Sequence, residues 1–279
     1  MKALLQAQPW CIYCGGVHPA TTIDHMPPVV IFDNRQRPSG LEFPACEACN
    51  SGSKLSEQVV GLVSRMYPEP PNEGARQETK RLMREVESNH PGLLAEMRPT
   101  SGQLAQFHRQ HGDLPAGTAP LNARGPLLTN AMNSFAAKFA LAIHFEMTKV
   151  VVSPSGVIAA RWYPNHQVYR GGIPDILLRL VGDPGTLVQG RKNVGSQFLY
   201  AGAYTPDKKQ SVFAAQFRES FAVAGIVYDG GDAPDIEGFS VYRPGFLRSN
   251  VPTPQGCAVL STCGSPRRLS RNADAVFRN

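Results

Sequence analysis

Four cysteines in the first fifty residues fall as two C-x2-C pairs, "CIYC" (Cys11, Cys14) and "CEAC" (Cys46, Cys49), with 31 residues between them. Two residues between paired cysteines let the chain turn so that both thiolates face one ion, and two such knuckles supply the tetrahedral sulfur set of structural zinc. Gly15 and Gly16 follow the first pair, where a tight turn favours residues that tolerate positive φ. The insert is longer than a zinc ribbon requires, so it is expected to house a second chemistry. It contains "TTIDHMPP", with Asp24 and His25 side by side ahead of Pro27 and Pro28. A neutral imidazole with a pKa near ~6.5 can take a proton from water at pH 7, and a carboxylate is a hard oxygen ligand for a divalent ion.

Short elements must position these groups. "TTIDH" has the β-branched character of a strand, and Pro27 and Pro28 fix φ and halt pairing just after His25. A loop through "DNRQRPSG" leads to a second short strand, "LEFPA", which delivers Cys46. Beyond Cys49, "NSGSKLSEQVVGLVSRM" predicts a helix capped by Ser53 or Ser56, with Val59, Val60, Leu62, Val63 and Met66 near a 3.6-residue spacing. Glu57 lies in its first turns, where a carboxylate suits the helix dipole.

In this order and spacing, "CIYC", "IDHMPPVVIF", "PACEACN" and "SGSKLSE" resemble the cysteine-knuckle branch of the HNH nucleases over about residues 8–66. The resemblance implies a ββα-metal fold tied by structural zinc at Cys11, Cys14, Cys46 and Cys49. It further implies DNA phosphodiester hydrolysis, with His25 as general base and Asp24 and Asn50 holding a catalytic Mg²⁺ or Mn²⁺ near the scissile phosphate. Lys54, Arg35 and Arg37 are candidate phosphate contacts, because cationic donors steady a backbone phosphate; surface solvation is the alternative for all three. The family's Asn before the second knuckle is missing: "RPSGLEF" puts Ser39, Gly40 and Leu41 there, which leaves Asn34 earlier in the loop as a candidate substitute, a backbone carbonyl as the alternative brace for His25, or a weakened or dead site. The competing expectation is a zinc-binding module that does not cut and serves as a nucleic-acid or protein adaptor.

The formal charge of +6 must be located before it implies a partner. Residues 1–66 carry five basic and five acidic side chains, and residues 67–242 carry 17 and 16. The excess lies in residues 243–279, where six arginines face Asp274 alone, in a Pro-, Ser- and Gly-rich stretch expected to be partly flexible. Cys257 and Cys263 in that tail lack neighbouring ligands and read as free thiols. No run approaches the roughly 18 apolar residues of a membrane span, and "MKALLQAQPW" lacks a signal sequence's apolar core, so no membrane partner and a cytoplasmic setting are expected.

The rest of the chain reads as helices followed by strands. "EPPNEGA" (69–75) predicts a linker, and "RQETKRLMREVESNH" an exposed, ion-paired helix stopping at Pro91. "TNAMNSFAAKFALAIHFEMTKVVV" is the most apolar helical candidate, with His144 a packed or hydrogen-bonded core residue. His108 and His111 in "HRQH" have metal-clasping spacing, but a solvated face is the preferred reading. "GVIAARWY", "SQFLYAGAY", "SVFAAQF" and "ESFAVAGIVY" predict strands, with "TPDKKQ" as a turn. The expected class is therefore α+β, in three parts: a nuclease-like zinc module (1–68), an α+β region that could select targets, form a homo-oligomer or bind a protein partner (76–242), and the basic tail (243–279).

Overall fold

The computed structural model describes residues 2–66, 73–112, 120–168, 172–185, 187–189, 192–230 and 236–250. The expected linker falls largely on residues 67–72 and most of the basic tail on 251–279, both outside the described residues, as are Cys257 and Cys263.

The chain begins with helix α1 (Lys2–Ala7), the first knuckle, and an antiparallel hairpin of β1 (Thr22–His25) and β2 (Glu42–Ala45). Helices α2 (Glu47–Gly52) and α3 (Lys54–Val63) follow; Cys46 is the N-cap residue of α2, so helix begins already at the second knuckle, and Ser53 is the N-cap residue of α3, as expected, without a side-chain capping bond. Then come α4 (Glu73–Asn89), α5 (Leu93–Glu96), α6 (Ser101–His111) and the long α7 (Pro126–Thr148). The ion-paired helix α4 ends just before Pro91, with Arg81 bonded to both Glu78 and Glu85. The remaining elements are β3 (Val157–Pro164), α8 (Asn165–Val168), α9 (Asp175–Val181), β4 (Val188–Gln189), β5 (Lys192–Asn193), β6 (Phe198–Tyr204), β7 (Gln210–Phe217), β8 (Phe221–Tyr228) and β9 (Ser240–Tyr242).

Helices and antiparallel sheets together make the α+β class. The main sheet has the order β6-β7-β8-β3-β9, with every pair antiparallel. Helix α7 crosses one face of this sheet, and α9 packs on the other against β6 and β7. The period-2 pattern of β7 turns Phe213, Ala215 and Phe217 inward. There Phe139 meets the rings of Phe198, Phe213 and Phe217 at centroid distances of 5.4–5.8 Å. Each such aromatic pair adds about 0.5–1.5 kcal/mol beyond the burial of its area.

The opposite side of α7 packs on α3, so a single core runs from the cysteine knuckles through α7 to the sheet. The expected break between residues 68 and 76 is not a break in packing. The same applies at residue 243: Gly245 N–H donates to Tyr13 O at 2.7 Å, and Leu247 is fully buried against the cysteine-knuckle module. Leu247 of the expected tail thus belongs to the core, while Arg243 and Arg248 beside it are exposed. At 23 residues α7 is long enough to cross a membrane, yet no helix among the described residues is both long and apolar enough to do so.

Candidate metal centre and the hairpin beside it

The ligand atoms of Cys11, Cys14, Cys46 and Cys49 all lie within 4.8 Å of one another, and all four residues are buried. Zinc–sulfur bonds of about 2.3 Å in a tetrahedron put sulfurs about 3.8 Å apart, so a small contraction closes the cage. Local hydrogen bonds shape the first knuckle: Cys11 N–H donates to His18 O, and Gly16 N–H donates to Cys11 O, both at 3.0 Å. Gly15 has φ +69°, and a Cβ there would sit 2.7 Å from Pro154 N, so the turn needs glycine for both conformation and space. Ile12 N–H donates to Pro44 O at 3.1 Å, joining the first knuckle to β2. As thiols, Cys11, Cys14 and Cys49 share their protons unequally. Hydrogen bonds from Cys11 and Cys49 bring Cys14 down to about 2, whereas the bond to Cys14 pushes Cys11 up to about 12 and Cys49 rises further. A thiolate crowded by thiols is an environment that a soft divalent cation satisfies. The donor set therefore fits zinc.

The last two side chains of β1, Asp24 and His25, point to opposite faces of the hairpin, as strand alternation requires. Asp24 lies opposite Phe43 on the buried face and is 4% exposed. His25 lies opposite Glu42 on the outer face and is exposed. Both Asp24 oxygens have partners: Oδ2 accepts from the Tyr13 hydroxyl, and Oδ1 accepts from Lys138 Nζ at 2.9 Å. The fully buried ammonium of Lys138, on α7, also donates to Ser53 Oγ at 2.8 Å and Glu57 Oε1 at 2.7 Å. It stands over the Tyr13 ring, 5.2 Å from the centroid. Burial alone would lower the Lys138 pKa, but Asp24 and Glu57 outweigh it and hold it above its ordinary value. Burial raises Glu57 against the pull of Lys138, and burial together with the Asp24 charge pushes Tyr13 well above the ordinary phenol value.

Asn50 is anchored elsewhere: its Nδ2 donates to Thr22 Oγ1 at 3.1 Å. Thr22 precedes His25 by three positions, about 10 Å along an extended strand. The expected convergence of His25, Asp24 and Asn50 on one phosphate, with Asp24 and Asn50 sharing an ion, is thus not the arrangement the structure shows. Asp24 faces the core with both oxygens engaged, and it does not fit a catalytic Mg²⁺ or Mn²⁺ in this conformation.

The expected phosphate contacts also divide. Arg35 and Lys54 are exposed. Arg37 is committed to the hairpin, paired with Glu42 and bonded to the carbonyls of Pro38 and Leu41, because a guanidinium can satisfy several acceptors at once. It lies beside His25, whose imidazole is held below its ordinary pKa first by partial desolvation and then by the Arg37 charge. Asn34, the candidate substitute for the missing brace, is exposed, with φ +52°.

A second ionic knot fastens the hairpin loop to the sheet. Asp33 pairs with Arg65 at 3.1 Å and with Arg218 at 2.9 Å. Burial would raise the Asp33 carboxyl, but Arg218 and Arg65 together hold it below the usual range. His144 is buried with Nδ1 2.9 Å from Ser211 Oγ, a core histidine as expected. His108 is exposed, its Nδ1 3.3 Å from Gly112 O; the side chain of His111 is outside the described residues.

Fold and site define an α+β protein with a buried four-cysteine cluster able to bind a metal such as zinc. No family model, curated protein or solved structure matches the chain.

Proposed function

We propose that the chain acts on nucleic acid through an HNH-type module, hydrolysing phosphodiester bonds of DNA with His25 as the base. The observation that supports this reading is an exposed imidazole at the end of a strand whose hairpin is tied to a buried four-cysteine cluster. With its pKa held below the ordinary value, His25 is neutral at pH 7 and able to accept a proton from water. Zinc, when bound, supplies a rigid frame and no reacting atom. Exposed Arg35 and Lys54 are available to phosphate oxygens, whereas Arg37 acts on the imidazole. A second reading, a nucleic-acid adaptor that does not cut, is favoured by one observation: Asp24 is paired with Lys138 and is 4% exposed.

Zinc-loaded full-length protein incubated with supercoiled plasmid and Mg²⁺ or Mn²⁺ separates the two. Hydrolysis predicts nicked and linear products that disappear in His25→Ala, with zinc content and melting temperature unchanged. Equal cutting by His25→Ala refutes the role of His25. Salt-dependent DNA binding with no cutting under any divalent ion selects the adaptor.

A further inference from the structure

Lys138 is a fully buried lysine surrounded on three sides by oxygen. Asp24 Oδ1, Ser53 Oγ and Glu57 Oε1 lie 2.9, 2.8 and 2.7 Å from Nζ, and they come from β1, the α2–α3 junction and α3. The lysine itself comes from α7, far along the sequence. Two carboxylates and a hydroxyl around one point are the donor chemistry of a hard divalent ion, which binds oxygens at about 2.0–2.6 Å. The oxygens need to close by only about 0.5 Å to pass from ammonium distance to metal distance.

From this geometry we infer that Asp24, Ser53 and Glu57 form a cation cage whose resident cation is the chain's own Lys138. The ammonium and a divalent ion such as Mn²⁺ compete for the same oxygens, so Lys138 keeps the inner face of the hairpin closed to metal while α7 is seated. Three features point to a built site. The cage gathers residues from three separate elements of the zinc module around a fourth. The Tyr13 hydroxyl fixes the second Asp24 oxygen, setting the orientation of the first. Ser53 Oγ also bonds Glu57 Oε1 at 2.7 Å, holding two of the three donors together. The inference goes beyond the proposed reaction, since it concerns which cation Asp24 binds and holds whether or not DNA is cut.

The test is Mn²⁺ binding by zinc-loaded full-length protein, read by electron paramagnetic resonance. Lys138→Ala removes the ammonium and leaves room for an ion and its waters. This variant is expected to bind one Mn²⁺ per chain at least tenfold more tightly than the wild type, and the gain is expected to vanish in Lys138→Ala combined with Asp24→Asn. A folded, zinc-loaded Lys138→Ala protein with no gain overturns the inference. An independent arm uses the wild-type background, where Asp24→Asn is expected to change Mn²⁺ affinity by less than twofold because the ion is excluded from Asp24. A tenfold loss there shows that Asp24 already holds the ion and overturns the inference, whether or not the alanine variant folds. Absence of plasmid cutting in every variant counts against the phosphodiesterase alone and leaves the cage result to be judged by Mn²⁺.

Discussion

Replacing Lys138 with methionine keeps an unbranched side chain in the core and deletes the charge, so it measures what the buried ammonium contributes. The side chains of Lys138, Asp24 and Glu57 are 1%, 5% and 20% exposed, which places the network largely out of reach of solvent screening. Breaking a buried ion pair from one side costs about 3–5 kcal/mol, because the remaining charge has lost its counterion. For a protein of this size each kcal/mol moves Tm by about 2–4 °C, so a drop of roughly 6–20 °C is expected in Lys138→Met. The comparison that isolates charge is Lys138→Met with Glu57→Gln. Removing one cation and one anion together should cost less than the sum of the two single changes, by about 0.5–3 kcal/mol. Alkaline pH supplies a second check. The Lys138 pKa is raised by folding, so its stabilisation is complete below the ordinary value of 10.5 and is lost as pH rises through the higher folded value. Urea unfolding at fixed zinc, run for the wild type and both variants, reads all of this. A Lys138→Met protein as stable as the wild type, with an unchanged alkaline limb, would refute the reasoning, since it would mean that the two carboxylates never needed a buried cation.

Other consequences follow from neighbouring sites. Folding lowers the His144 pKa to about 4, mainly by burial, so its neutral form stabilises the protein fully above ~6.5 and that contribution fades as pH falls to about 4. The loss is on the order of 3 kcal/mol, and His144→Gln should flatten the acid limb of a stability profile in that window. A Cβ at Gly52 would lie 2.0 Å from the Leu247 carbonyl oxygen, so Gly52→Ala should cost about 1–3 kcal/mol in urea unfolding. Gly102→Ala in α6, where the nearest neighbouring atom is 4.0 Å away, should be neutral or stabilising by up to about 1 kcal/mol. Elemental analysis should find one zinc per chain, abolished in Cys49→Ala with a fall in Tm; a native, zinc-free protein of unchanged Tm would show that the cluster does not hold metal.

Much of the fold was legible because it is written in local pattern. The β-branched run "TTIDH" closed by two prolines is β1, and the strands read from "SQFLYAGAY" and "SVFAAQF" pair in register as β6 and β7 across the "TPDKKQ" turn. The cysteine spacing was equally legible, since C-x2-C constrains a knuckle whatever surrounds it. What local pattern does not carry is which surfaces meet. Residues 1–66 sum to zero charge and carry their own motif, and so read as a separable unit. Their apolar α3 face, however, is covered by α7 and their knuckle by Leu247, contacts made across about 70 to 200 positions.

Lys138 illustrates the limit and also the signal that was present. In "NSFAAKFALAIHF" a single charge interrupts an apolar helix, and on pattern alone it suggests a side chain reaching out to solvent. A helix apolar on every face has no solvent side to offer, so a lysine within it requires a buried counter-charge. In the cysteine-knuckle module, Asp24 and Glu57 are the carboxylates that meet that requirement, although the family resemblance makes Asp24 a metal ligand and local pattern makes Glu57 a helix-dipole partner. The pairing also explains the division between adjacent residues on β1. Once Asp24 is drawn inward by the ammonium, strand alternation turns His25 outward, so the cation that occupies the inner face and the exposure of the imidazole on the outer face have a single structural cause.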